Sequence, residues 1–174
     1  LSNIWFENNV SSNDGGGLCV DEVIQVEDDK STWSYESYVT LQNVVFWGNI
    51  ASDDGGALYS KTGHLEIYNT TSTDNEGPSA GGMMFKRTTA QLVNNIISDN
   101  AGPGLAVEED EGEGSSVIGS YNDLVNNSGG NFSGMDDFIG EDGNIEEDPD
   151  YVDAASGDFN LEPTSPCVDA GDPA

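Results

Sequence analysis

The chain has 174 residues, 35% of them hydrophobic, and sets 33 acidic side chains against 4 basic ones, a formal charge of −29 at pH 7. That balance excludes the ordinary electrostatic routes to DNA, RNA or an anionic membrane, all of which need basic surface. No apolar run approaches the about 18 residues of a membrane span.

Disordered acidic chains share this composition, but they do not repeat Phe, Asn and Gly-Gly in register. From the N-terminus, WFENNVSSNDGGGLCV, VFWGNIASDDGGALYS, TSTDNEGPSAGGMMFK and IISDNAGPGLAVEE align on Asn9, Asn49, Asn75 and Asn100. Phe6, Phe46, Ser72 and Ile97 stand three residues before these asparagines, and Leu18, Leu58, Met84 and Leu105 follow the glycines. The asparagines are 40, 26 and 25 residues apart. A unit of that length cannot bury an apolar face alone. Stacked units pair their strands and share one narrow core. The pattern therefore predicts an all-β right-handed parallel β-helix, a solenoid of about six coils. Glycine suits its bends. A repeated Asn tolerates the left-handed region and can hydrogen-bond the same group in the next coil.

The long first interval places an inserted arm at 21–37, a strand, polar tip and return strand carrying Trp33 and Tyr35. Next, in YVTLQNVVFWG, Val39, Leu41 and Val44 face inward. In GHLEIYN, Leu65 and Ile67 face inward while His64, Glu66 and Tyr68 face out. Trp33, Tyr35, Trp47 and Tyr59 then form an aromatic edge with Tyr38. It is either a platform for a glycan or protein partner or a patch covered by the arm.

The aligned register stacks Lys61 on Arg87, with Asp21 and Glu108 in the same column and His64 on the same edge. This column reads first as a self-neutralising charge ladder. Lys61, His64 and Arg87 are also the one group in which a base and cations could converge. The acidity reads either as solubilising surface charge or as calcium binding. The densest candidate is Glu141, Asp142, Asn144, Glu146, Glu147, Asp148 and Asp150, with Asp53/Asp54, 108–113 and Asp136/Asp137 as lesser clusters. Cys19 and Cys167 lie coils apart and pair only if the tail folds back along the solenoid.

FENN, FWGN and GGAL, with the variants GGGL and GGMM, resemble the repeats of chlamydial polymorphic outer-membrane proteins. YNDLVNNSGG, and then GNIEEDPDYVDAASGDFNLEPTSPCVDAGDPA, resemble the closing segment of secreted bacterial β-helix proteins. The carrying residues are Tyr121, Asn122, Asp123, Asp148, Pro149, Val152, Asp153, Gly157, Asp158, Phe159, Leu161, Ser165, Pro166 and 169–172. The resemblance implies a secreted or surface-attached protein, a closing segment at 134–174, and adhesion as its role. Polysaccharide-degrading proteins lie close to the same family, so a lyase-like role stays open. The expectation is thus a single domain, 1–174, cut from a longer precursor: an extracellular structural or adhesive scaffold, more a non-enzyme than an enzyme. Its partners would be an extracellular glycan, a surface protein or neighbouring copies stacked coil to coil into fibres, with calcium as the candidate cofactor.

Overall fold

The computed structural model describes residues 1–21, 23–28, 31–35, 37–110 and 112–172, with the backbone alone described for 23–28 and 31–35. The first coil holds β1 (Ser2–Glu7), β2 (Val10–Ser11) and β3 (Leu18–Val20). An antiparallel pair follows, β4 (Val23–Asp28) with β5 (Ser31–Tyr35). Later coils are built from β6 (Ser37–Trp47), β7 (Ile50–Ala51), β8 (Leu58–Tyr68), β9 (Thr71–Thr73), β10 (Met83–Val93), β11 (Ile96–Ser98), β12 (Leu105–Glu108), β13 (Ser116–Ser120), β14 (Asp123–Val125) and β15 (Phe132–Ser133). A last antiparallel pair, β16 (Tyr151–Asp153) and β17 (Asp158–Leu161), flanks a single 3-10 turn.

Between coils every pairing is parallel, and three faces result. The first runs β1, the end of β6, β9, β11 and β14. The second runs the start of β6, the ends of β8 and β10, and β13. The third runs β3, the starts of β8 and β10, β12 and β15. Alternation decides what is buried. Phe46, Leu58, Leu65, Ile67, Phe85, Leu92, Ile97, Leu105 and Leu124 point into one continuous core, each burial stabilising by roughly 1.5–3 kcal/mol. Gly-Gly recurs for a steric reason: a Cβ on Gly56 or Gly82 would run into the backbone of the next coil, at the Gly81 or Gly104 carbonyl.

Asn9, Asn49, Asn75, Asn100 and Asn127 form one column. Each Nδ2 donates to the Oδ1 of the next, at 2.9, 2.9, 3.0 and 2.9 Å. The same Oδ1 also accepts the preceding rung's backbone N–H. From Asn49 on, the second amide proton goes to a backbone carbonyl, as Asn75 to Phe46 at 3.0 Å. A buried carboxamide is thus satisfied on every side, the condition under which burying one is tolerable. The ladder asparagines are not the left-handed residues. That conformation belongs to the residue just before each: Asn8, Gly48, Asp74, Asp99 and Asn126, with φ of 53°, 65°, 55°, 56° and 58°. A second column, Asn95, Asn122 and Asn144, is built alike at 2.9 and 3.0 Å and follows left-handed Asn94, Tyr121 and Gly143.

Two expectations are corrected. The chain makes about four turns, not six, because beyond β15 it leaves the stack after a partial coil through Asn144 and Ile145. The residue that stacks with Leu18, Leu58 and Leu105 is Met83 rather than Met84. Sheet hydrogen bonds fix the strand register, and the loop after Asn75 is one residue shorter than the loop after Asn49. That slip turns every side chain to the other face.

Candidate functional site

The same one-residue slip rearranges the charged column. Lys61 pairs in register with Lys86, not Arg87, and Lys86 with Glu108. Arg87 occupies the corner of β10 at φ 45°. Lys86 Nζ lies 2.8 Å from Asp54 and 2.9 Å from Glu108. Burial alone would lower its ammonium, but those two bonds prevail and hold it above the ordinary lysine range. Lys61 Nζ and Arg87 Nε both stand 3.2 Å from one oxygen of Asp110. His64 is not with them. It stacks on Tyr38, ring centroids 4.7 Å apart and planes within 8°. The three catalytic candidates therefore divide into an ion-paired corner and an aromatic stack on the second face. Asp110, which joins Lys61 to Arg87, entered the sequence reading only within the acidic 108–113 cluster and not as a partner of these cations.

The aromatic candidates separate as well. Tyr59 is 4% exposed and packs with Ala80, Met84 and Ala106 beneath the loops of the third face. It is no open platform. Trp47, on the first face, meets the ring of Phe159 edge-on at 5.5 Å. The side chains of Trp33 and Tyr35 lie outside the described residues. Tyr38 stands out at 76% exposure.

Phe159 belongs to a strap, residues 149–172, that lies back along the first face. Its ring also touches Trp5 at 5.9 Å and Tyr151 at 5.3 Å. Further along the strap, the Cys167 thiol donates to Asp123 at 3.1 Å and the Asp172 backbone N–H donates to Asn94 at 2.8 Å. The tail does fold back, yet both cysteines are free thiols, Cys19 on the third face and Cys167 on the first. Burial, reinforced by Asp123, pushes the Cys167 thiol up to about 12.

Of the seven candidate calcium ligands, Asn144 is a rung of the second column. Glu146 accepts from Asn131 at 2.7 Å, and Asp148 accepts the Asp150 backbone N–H at 3.0 Å. Among the described residues, the acidic group whose oxygens lie within 4.8 Å of one another is Asp14, Asp53 and Asp54. Lys86 already neutralises part of its charge. Burial, then the neighbouring Asp54 and Asp53, raise the Asp14 carboxyl above its usual range.

A concavity lies on the outer side of the second face. Outward residues of successive strands line it in two columns: Tyr38, His64, Thr89 and Ser116 beside Thr40, Glu66, Gln91 and Ile118. This hollow of about 350 Å³ adjoins two others, of about 140 and 510 Å³, and all three share Ile118. The result is a trough running along the solenoid axis toward the 135–142 loop.

A family model described as right handed beta helix region matches residues 2–138, the stacked coils without the strap. Neither the comparison with curated proteins nor that with solved structures gives a match.

Proposed function

From a chain that belongs to the right-handed β-helix family, we propose an extracellular adhesive scaffold: a rigid acidic rod that holds a partner along its second face rather than transforming it. The observation that carries this reading is the commitment of Lys61, Lys86 and Arg87 to Asp54, Glu108 and Asp110. Lyase chemistry on a uronate needs a basic group facing the substrate and positive charge to offset its carboxylate, whereas these cations are spent on structure. The trough supplies a surface to bind with, and the resemblance of FENN, FWGN and GGAL to polymorphic outer-membrane-protein repeats favours surface adhesion. The test is retention of the immobilised chain on cell surfaces and glycan arrays, run beside incubation with uronate and neutral polysaccharides. Binding without new chain ends is expected. Turnover abolished by His64→Ala or Arg87→Ala would overturn the reading.

A carbohydrate-binding module is the second reading. It is favoured by the exposed Tyr38 ring, backed by His64 at the mouth of the trough, since a supported flat aromatic suits a sugar ring. Loss of glycan retention on Tyr38→Ala would support it.

A further inference from the structure

We propose that the trough on the second face is a docking groove for a basic, extended peptide segment of a partner protein. The inference rests on the scaffold reading and names the class of its partner. In the column that lines the trough the outward positions are polar until β13, where Ile118 takes the position held by Thr40, Glu66 and Gln91 in the other coils. Ile118 is 62% exposed. A lone exposed aliphatic is unremarkable, but this one stands where all three hollows meet. Past it, Met135 and Phe138 continue an apolar floor.

Charge selects the partner. Glu66 lines one end, and Asp136, Asp137, Glu141 and Asp142 rim the other. Among the described residues, no lysine or arginine lines the trough. A concave acidic surface concentrates cations, and on a chain of charge −29 it repels uronates, sulfated glycans and nucleic acid. A neutral glycan could meet Tyr38 but would leave these carboxylates unanswered. The four strands from β6 to β13 span about 14 Å at roughly 4.8 Å per step, the reach of about four extended residues. A segment alternating aliphatic and basic side chains would set its apolar groups on Ile118 and Met135 and its charges on the rim.

The experiment is fluorescence anisotropy with the whole chain and three labelled probes: a Lys-Leu alternating octapeptide, its Gln-Leu counterpart, and a neutral β-glucan oligosaccharide. The expected result is binding of the first, about tenfold weaker binding of the second, and affinity that falls with salt. Ile118→Lys weakens the first about tenfold, and the Asp136→Asn/Asp137→Asn pair weakens it several-fold. Glu7→Gln/Glu162→Gln, away from the trough, leaves it unchanged. Ile118→Thr, with thermal unfolding of each variant, separates lost binding from lost folding. The proposal is overturned if the octapeptide does not bind, if only the oligosaccharide binds, or if the remote pair weakens binding as much as Ile118→Lys. Peptide failure with surface retention intact removes this inference alone. Polysaccharide turnover removes the scaffold reading beneath it.

Discussion

The Cys167 thiol and the Asp123 carboxylate, 44 residues apart in sequence, meet at 3.1 Å where the strap crosses β14. Asp123 also accepts the Glu147 backbone N–H at 3.0 Å, yet its burial prevails and raises its carboxyl above the ordinary range. Burial does the same at Asp14 and Asp99. A carboxyl raised by folding binds its proton more tightly folded than unfolded. The stability it contributes is present below the unfolded value, about 3.9, and is lost as pH rises through the folded value. The thermal midpoint therefore climbs as pH falls through the raised folded values toward about 3.9, and Asp123→Asn flattens that climb. Melting curves followed by circular dichroism across this window give the comparison.

Asn75 sits mid-column and is wholly buried. Its Nδ2 donates to Asn100 Oδ1 and to the Phe46 and Thr73 carbonyls, each at 3.0 Å, while its own Oδ1 serves Asn49. Asn75→Ala strands partners in both neighbouring coils and is expected to cost about 3 kcal/mol, against about 1 kcal/mol for Asn9→Ala at the exposed rung. Urea unfolding midpoints at matched m-values test the difference.

Tyr121 holds φ 55° at the bend where other coils place Asn3, Asn43, Asn69 and Asn94. A large side chain there carries strain of about 1–2 kcal/mol that Asn largely escapes. Tyr121→Asn is expected to raise the melting temperature by a few degrees, unless the ring's contact beside Gly143 outweighs the relief. A fall in midpoint would show that it does.

The coil repeat was legible because its signals are local. Phe6, Phe46, Ser72 and Ile97 align once the asparagines do, and the structure stacks them as β1, β6, β9 and β11. The third face slipped by one because a glycine pair marks a loop, not a register, and loop length varies without disturbing the sheet. The second Asn column was missed; Asn94-Asn95 marks its first rung with the same kind of doublet that Asn8-Asn9 and Asn126-Asn127 form in the first column. In each, the first residue takes the left-handed bend and the second becomes a rung, so the doublet was the available signal. Asp110 and Phe159 could not be read this way: the partners of one lie in β8 and β10, those of the other in β1, β6 and β16.

Phe159 is the strap's contact with Trp5 and Trp47, two of the three tryptophans in the chain. Phe159→Ala is expected to loosen the strap at a cost of about 1–2 kcal/mol. Trp47, and further the already half-exposed Trp5, then gain contact with water, emission shifts to the red, and cleavage by a broad-specificity protease within 149–172 speeds up. Unchanged emission would mean that the backbone and the Cys167 and Asp172 contacts hold the strap alone.

Lys86 bears on the response to divalent ions. Calcium at Asp14, Asp53 and Asp54 would have to displace an ammonium from Asp54. Calcium and magnesium at equal ionic strength are therefore expected to raise the thermal midpoint alike, by screening. A rise confined to calcium would refute this and assign an ordered site.

Every rung from Asn9 to Asn100 hands one amide proton forward to the Oδ1 of the next, and Asn127 donates in turn to Asn131 at 3.0 Å, whose own amide goes to the Leu124 carbonyl at 2.8 Å. The carboxamide dipoles add instead of cancelling, so the rod is a vector with a distinguishable front and back. Like ends brought together would meet acceptor to acceptor or donor to donor. Only front-to-back contact would continue the column, and there the donor is already turned inward at Asn131. Any contact that continued the column would therefore have to run head to tail, and only after the closing turn at 128–131 had let go.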